Sequence, residues 1–293
     1  RGHWNDVFDA HKDIRPIWPA QLDHLCIATG QPEKILAFYR DAVGFENEKI
    51  ERDLWKMTGP GRTILVTRGE ARRMAFMAFC IDDGEQLERL REDIVEHGGV
   101  IENATSPLFG DESFSVSDPD GTRIVFGYRE HTAVNNEIYP KADLQHLAVA
   151  TKQQDKMATF YREVLGFRTS DNVFDKEGNL TSTFFRSDSM HHTIALFGAN
   201  YTELDHHSYE VSSWNEIRDW ADHLGGSRIP LWWGPGRHGP GNNLFFMIQD
   251  PDLNKLEFSA ELEVFSYEQE PRNWPHDEYT LNLMGAFWMR KGE

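Results

Sequence analysis

Two histidines and a glutamate stand out in the second half of this 293-residue chain, because each sits in a phrase that the chain writes twice. LQHLAVAT (144–151) carries His146 five residues before Thr151, and LDHHSYEV (204–211) carries His206 five residues before Val211. QDPDLNKLEFSA (249–260) places Glu257 between Leu256 and Phe258. The earlier copies, LDHLCIAT (22–29), MAFMAFCI (74–81) and SDPDGTRIVFGY (117–128), put His24, Phe76 and Val125 at the matching places. Only the second set can bind a metal. Two histidines and one carboxylate leave three coordination positions open, which is what a non-haem Fe(II) centre needs to hold a substrate and O2 together. A lone strand histidine is commonly a satisfied core residue, and His24 is read as scaffold.

The elements that must position these groups follow from the duplication. A shift of 122 residues lays 22–45 on 144–167 without a gap, with twelve of 24 positions identical, among them Phe38-Tyr39-Arg40 over Phe160-Tyr161-Arg162. Half identity over such a span marks an internal repeat. Each copy opens with an alternating strand and continues into a helix whose apolar residues recur at helical spacing: Ile35, Phe38, Tyr39, Ala42 and Val43, then Met157, Phe160, Tyr161, Val164 and Leu165. Gly44 and Gly166 stand where a helix end favours positive φ. Further strand-like runs fall near 45–51, 62–68, 74–81, 112–118 and 122–128, and near 167–174, 180–186, 192–198, 206–211, 243–249 and 254–260. Helices are expected over 85–97 and 213–224. The Asp-Pro-Asp of each closing phrase reads as a turn between two strands. The expected fold is therefore α+β, with duplicated βαβββ modules, four units in all, forming two barrels. An arm over 1–19, a first domain over 20–135 without a metal site, and a second over 136–262 with it complete the division. The tail, 263–293, with Trp274, Phe287 and Trp288, is expected to pack on the second domain.

Strand alternation also predicts which way the groups point. His146 shares a face with Ala148 and Ala150, small residues that leave room inside a barrel, while Leu147 and Val149 face the helix. Glu257, opposite in direction to Leu256 and Phe258, would enter the barrel, where a carboxylate needs a partner such as a metal. His207, one residue beyond His206, is expected on the helix side. Trp232 and Trp233, ahead of a Gly-Pro turn, are placed to line an aromatic pocket.

Composition excludes other classes. A net charge of −18 repels phosphate backbones and anionic lipid, so neither nucleic-acid nor membrane-surface binding is expected. No apolar run approaches the ~18 residues of a membrane span. Cys26 and Cys80 lie in apolar strand-like runs, which predicts reduced thiols and a cytoplasmic location.

On these residues the chain resembles the two-domain type I extradiol ring-cleaving dioxygenases of the vicinal-oxygen-chelate superfamily, over roughly residues 20 to 265. The resemblance is most specific in GPGRHGPGNNLFFMIQDPDLNKLEF (234–258), which is similar to the carboxylate-ligand region of homoprotocatechuate 2,3-dioxygenases. It implies Fe(II), with Mn(II) as the alternative, held by His146, His206 and Glu257, and O2 as co-substrate. The substrate would be a small aromatic diol, opened beside its two hydroxyls with both oxygen atoms incorporated. MHHTIALFG (190–198) resembles the segment bearing the acid–base histidine, and its spacing to His206 selects His192, with His191 beside it also assigned to the substrate. His238, in GRH, matches a histidine set near the substrate. A homo-oligomer is expected. The chain departs from the family pattern at Met247, where relatives carry a tyrosine whose hydroxyl contacts the substrate, and at Leu253, in place of a turn glycine. A thioether can neither donate a proton nor polarise a phenolate. Two other activities share the fold: a glyoxalase-like isomerase, which builds its site with a glutamate from each of two paired modules, and a non-catalytic binder of aromatic ligands.

Overall fold

A computed structural model describes residues 14–103, 106–128 and 141–285. Most of the expected arm, the 135/136 boundary, and Phe287 and Trp288 of the tail lie outside the described residues. The first half contains two βαβββ units. One is β1 (Ala20–Thr29), α1 (Pro32–Val43), β2 (Glu46–Glu51), β3 (Leu54–Gly59) and β4 (Arg62–Arg68). The next is β5 (Met74–Ile81), α2 (Gly84–Glu96), β6 (Glu102–Asn103), β7 (Phe114–Ser117) and β8 (Arg123–Gly127). The second half repeats the plan with β9 (Asp143–Thr151), α3 (Gln154–Thr159), β10 (Arg168–Phe174), β11 (Leu180–Arg186) and β12 (Ile194–Gly198). It ends with β13 (Glu203–Val211), α4 (Trp214–Gly226), β14 (Trp233–Arg237), β15 (Leu244–Gln249) and β16 (Lys255–Ala260). The tail adds β17 (Arg272–Pro275) and α5 (Glu278–Leu281).

Each half folds into one sheet, in the orders β2-β3-β4-β1-β5-β8-β7-β6 and β14-β15-β16-β13-β9-β12-β11-β10-β17. The opening strands of paired units meet antiparallel at the centre, β1 with β5 and β9 with β13. Every unit's last strand lies parallel to its first. The helices and the sheet faces they cover share one apolar core that runs through both halves, from Leu25, Ile64 and Phe79 to Leu147, Trp220 and Phe258. On the other face the halves differ. Phe76 and Val125 join Cys26, Leu65 and Ala78 in a cluster covered by Leu54 and Phe109, filling the first barrel. Among the described residues the second barrel has the smaller buried apolar cluster of Ala148, Val173, Phe184 and Ala195.

The second copy of the repeated helix departs from the regular helix expected through Leu165. After Thr159 it continues as a π turn over Phe160–Val164, with the Leu165 amide donating to the Phe160 carbonyl at 3.1 Å. Leu253 adopts φ 65°, in the left-handed region where the matching Gly121 has φ 81°. The turn glycine's backbone conformation is thus kept by a residue with a side chain, at a steric cost of about 1–2 kcal/mol.

The repeated phrases also bind the halves to each other. Tyr39, on α1, donates to Asp250 Oδ2 at 3.2 Å, in the closing turn of the second half. Tyr161, in the second half, donates to Asp118 Oδ2 at 3.3 Å, in the closing turn of the first. Gln31 Nε2 reaches Asp252 Oδ1 at 2.6 Å, and Gln153 Nε2 reaches Asp120 Oδ1 at 2.7 Å. Both tyrosines are fully buried, and burial pushes the Asp118 and Asp250 carboxyls up to about 6. Removing the Tyr161 hydroxyl takes the hydrogen bond from Asp118 Oδ2, and removing that of Tyr39 leaves Asp250 Oδ2 to Asn254 alone and His207 Nε2 without its partner, at about 1–3 kcal/mol. Equilibrium urea unfolding of Tyr39→Phe and Tyr161→Phe should show losses in that range. Tyr39→Phe should lose more, because its hydroxyl also lies 3.0 Å from His207 Nε2.

Candidate metal centre

Strand register brings the three chemical side chains together. On β13, Ser208 pairs with His146 of β9 on one side and Glu257 of β16 on the other. His206 lies two residues before Ser208 and projects from the same face. The ligand-type atoms of His146, His206 and Glu257 all lie within 4.8 Å of one another, and all three residues are buried. The first half repeats this register with other side chains: His24 pairs with Ala78, and Ala78 with Val125. His24 is held there by Asp23 Oδ2 at 2.5 Å and Ser106 Oγ at 2.6 Å, with Phe76 and Phe109 edge-on to its ring.

Hydrogen bonds on the far nitrogens fix how the two rings present themselves. His146 Nδ1 donates to Gln145 Oε1 at 2.5 Å, and Gln145 is tethered through Nε2 to the His192 carbonyl at 2.7 Å. His206 Nδ1 donates to Asp205 Oδ2 at 2.8 Å, and Lys255 Nζ holds the other Asp205 oxygen at 2.7 Å. Both rings therefore turn Nε2 towards Glu257, at 3.4 Å for His146 and 3.9 Å for His206. An outer hydrogen bond of this kind selects the tautomer that a metal-ligating histidine needs.

The electrostatics fit the same purpose. Burial opposes the charge on Glu257, but the close contacts of His146 and His238, together with the pull of the neighbouring imidazoles, hold its carboxyl well below the usual range. Burial, moderated by Glu257, holds His146 below its ordinary value. Ser208 Oγ donates to Glu257 Oε1 at 3.0 Å, which orients the carboxylate. Two imidazole nitrogens and one anionic oxygen, converging in a buried space, fit a divalent transition-metal ion with open positions.

The centre opens into a cavity of about 310 Å³. Of the residues singled out by sequence, His146, His206, Glu257, His192, His238, Met247 and Trp233 all line it. His192 packs against His146 with ring centroids 4.3 Å apart, and burial together with the adjacent imidazoles drives its pKa well down. His238 Nε2 lies 3.3 Å from Glu257 Oε2, its Nδ1 donates to the Leu281 carbonyl at 2.6 Å, and its ring stacks on Phe245. Met247 pairs with Glu257 across β15 and β16 and is 3% exposed. Val173, Phe184 and Phe197 make much of the remaining wall apolar.

His191 is a correction. Expected at the substrate, it is instead wholly buried behind His192, outside the residues that line the cavity, and bonded to Asp171 at 2.8 Å. Both histidines lie in the bend ahead of β12, which turns His192 into the cavity and His191 behind it, with their Nδ1 atoms 2.9 Å apart. His207 likewise points away from the centre, with Nε2 against Tyr39 and Nδ1 against Tyr209, and burial pushes it down to about 3. The sequence reading passed over Gln145 and Asp205, although a polar residue precedes His24, His146 and His206 alike. It also passed over the tail as part of the cavity: His276, Asp277, Thr280 and Leu281 form one wall.

The chain belongs to the Glyoxalase/Bleomycin resistance protein/Dioxygenase superfamily, whose family model matches residues 21–126 and 143–258. Among its relatives it is 25% identical over 235 residues to metapyrocatechase 2 of Cupriavidus necator, covering 72% of this chain and 70% of that protein. Similarity at 24% identity over 229 residues links it to a biphenyl-2,3-diol 1,2-dioxygenase of Paraburkholderia xenovorans strain LB400, covering 70% and 75% respectively. Its fold matches the substrate complex of homoprotocatechuate 2,3-dioxygenase from Brevibacterium fuscum with TM-score 0.77, at 22% identity over 94% of this chain and 93% of that one. An Mn(II)-bound glyoxalase from Novosphingobium aromaticivorans matches with TM-score 0.76, at 22% identity over 90% of each chain.

Proposed function

We propose that the chain is an extradiol dioxygenase that opens the ring of a catecholic substrate with O2, using a metal held by His146, His206 and Glu257. The observation that carries this reading is the convergence of those three groups beside a neutral His192 in an otherwise largely apolar cavity. Fe(II) is the assigned ion, with Mn(II) as the alternative that such donors accept; bound there, it supplies a Lewis acid that acidifies the diol and brings it together with O2. His192, low in pKa and facing the cavity, takes a hydroxyl proton and later returns it to the developing product oxygen. His238 stands on the other side of Glu257 and lines the cavity, where its ring can meet the substrate. Val173, Phe184, Phe197 and Trp233 hold the ring and exclude water.

The isomerase reading needs a second glutamate. Glu257 pairs with Ser208, two residues beyond His206. The equivalent place in the preceding unit is opposite Ala148, two residues beyond His146, and it holds Ala195. A methyl group cannot complete that site.

Metal analysis after dialysis should find one ion per chain, lost in His206→Ala and Glu257→Ala and retained in His24→Ala and His207→Ala. Iron or manganese supports the oxygenase; stoichiometric zinc or nickel with no oxygen uptake on a catechol panel would move the assignment to an isomerase.

His192→Ala should keep its metal and its affinity for the diol. Single-turnover ring cleavage should slow by about 10²–10⁴-fold, the usual worth of a positioned acid–base group.

Met247 offers sulfur and methyl where relatives offer a hydroxyl. A lost hydrogen bond to a charged oxygen is worth about 1.5–3 kcal/mol, or roughly 10–150-fold in rate. Unsubstituted catechol should therefore be a slow substrate, and Met247→Tyr should raise its turnover about tenfold or more with the metal content unchanged.

A further inference from the structure

We propose that His191 is a positioning residue that sets the ring orientation and tautomer of His192, and that Asp171 and Arg272 in turn set His191. The proposal rests on the acid–base reading of His192. His191 Nδ1 lies 2.9 Å from His192 Nδ1, and His191 Nε2 lies 2.8 Å from Asp171 Oδ2. Arg272, on the tail strand β17, grips the same carboxylate through two bonds, Nε to Oδ1 at 2.8 Å and Nη2 to Oδ2 at 2.9 Å. It is itself anchored by Glu263, through Nη1 at 3.1 Å and Nη2 at 2.6 Å. His191, His192 and Asp171 are buried, while Arg272 reaches the surface.

The direction of each hydrogen follows from the far end inwards. Asp171, an anion under two guanidinium bonds, can only accept, so His191 carries its hydrogen on Nε2. With its hydrogen on Nε2, His191 turns the Nδ1 lone pair to His192 and accepts a hydrogen from His192 Nδ1. His192 is left with its lone pair on Nε2. That atom has no hydrogen-bond partner among the described residues, and the ring lines the cavity. The tautomer able to take a proton from the diol is therefore the one that the chain of bonds imposes. When His192 gains that proton at Nε2, its Nδ1–H bond to His191 strengthens, and Asp171 lies behind to balance the charge. This is the logic by which a buried carboxylate orients a catalytic imidazole, extended by one more imidazole. Ring packing fixes the geometry further: Phe265 stands edge-on to His191 at 5.0 Å, and the Arg272 guanidinium lies 4.9 Å over Phe265.

Three variants test it in the full-length, metal-loaded chain. His191→Phe keeps the bulk and removes the acceptor, His191→Asn restores an acceptor oxygen, and Asp171→Asn offers an amide hydrogen to His191 and so favours the reversed tautomers. His191→Phe and Asp171→Asn should lower kcat by about 10–100-fold, the range typical of outer-shell partners, with KM and metal content changed by less than about threefold. His191→Asn should recover much of the loss. In protein loaded with diamagnetic Zn(II), nitrogen-15 NMR should show His192 protonated on Nδ1 in the parent chain and on Nε2 in Asp171→Asn. A fall in metal content or a matching rise in KM would make the cluster merely structural and overturn the proposal, as would an unmoved tautomer. Each substitution is repeated in His192→Ala, where it should have no further effect on cleavage. If His192→Ala itself cleaves at the parent rate, the acid–base reading has failed; if His192→Ala is slow and His191→Phe is not, only the present proposal has.

Discussion

One buried carboxylate governs the second half of the molecule. Glu257 is 1% exposed and ionised, and an anion so placed must be answered on every side. The answer comes from two strands and a loop. β9 supplies His146, β13 supplies His206 and the Ser208 hydroxyl, and His238 closes from the turn after β14. Each of these is braced from behind by Gln145, Asp205 with Lys255, or the tail carbonyl at Leu281. Removing Glu257 would therefore do more than delete a donor. The imidazoles arranged around its charge would face one another with nothing to bring them together.

The first half shows what the same backbone does without that constraint. Its register is identical at His24, Ala78 and Val125, yet the concave face is packed shut by Phe76, Val125, Leu54 and Phe109. The lone histidine there has both ring nitrogens occupied by Asp23 and Ser106. A cavity and a polar cluster thus appear together in one barrel, while among the described residues the concave face of the other is filled by apolar side chains. Small residues such as Ala148 and Ala195 in the second barrel are as much part of the centre as the groups that bind.

How much of this was legible follows from what repetition can reveal. The four units were readable because two copies of 24 residues agree at half their positions, and the comparison at once exposed where chemistry had been lost. β3 was passed over because LWKMTG ends at a Gly-Pro-Gly turn and alternates poorly. β14 was passed over because WGPGR holds two glycines and a proline, residues that weaken a strand reading. His191 and His192 both lie in the bend before β12, where no strand alternation tells which of the two meets the cavity. Gln145 and Asp205 were invisible for a related reason: a polar residue beside a histidine on a strand reads as solvent-facing, and only tertiary structure shows it bonding sideways to its neighbour. The tail's share in the cavity had no periodic signal at all, since β17 joins the sheet across about a hundred residues of sequence.

The two tyrosine–aspartate pairs have a meaning beyond cohesion. Tyr39 binds the turn of the second half, and Tyr161 binds the corresponding turn of the first, each with a glutamine bound alongside. Such reciprocity, residue i on j and j on i, is what an isologous twofold contact between identical copies would present. The chain holds that contact within a single polypeptide, so its two lobes are always present at equal number and need no concentration to meet. Covalent joining also releases them from being identical. One lobe can be filled and become pure support, and the other can be hollowed and charged, which no assembly of identical subunits could do without altering both at once.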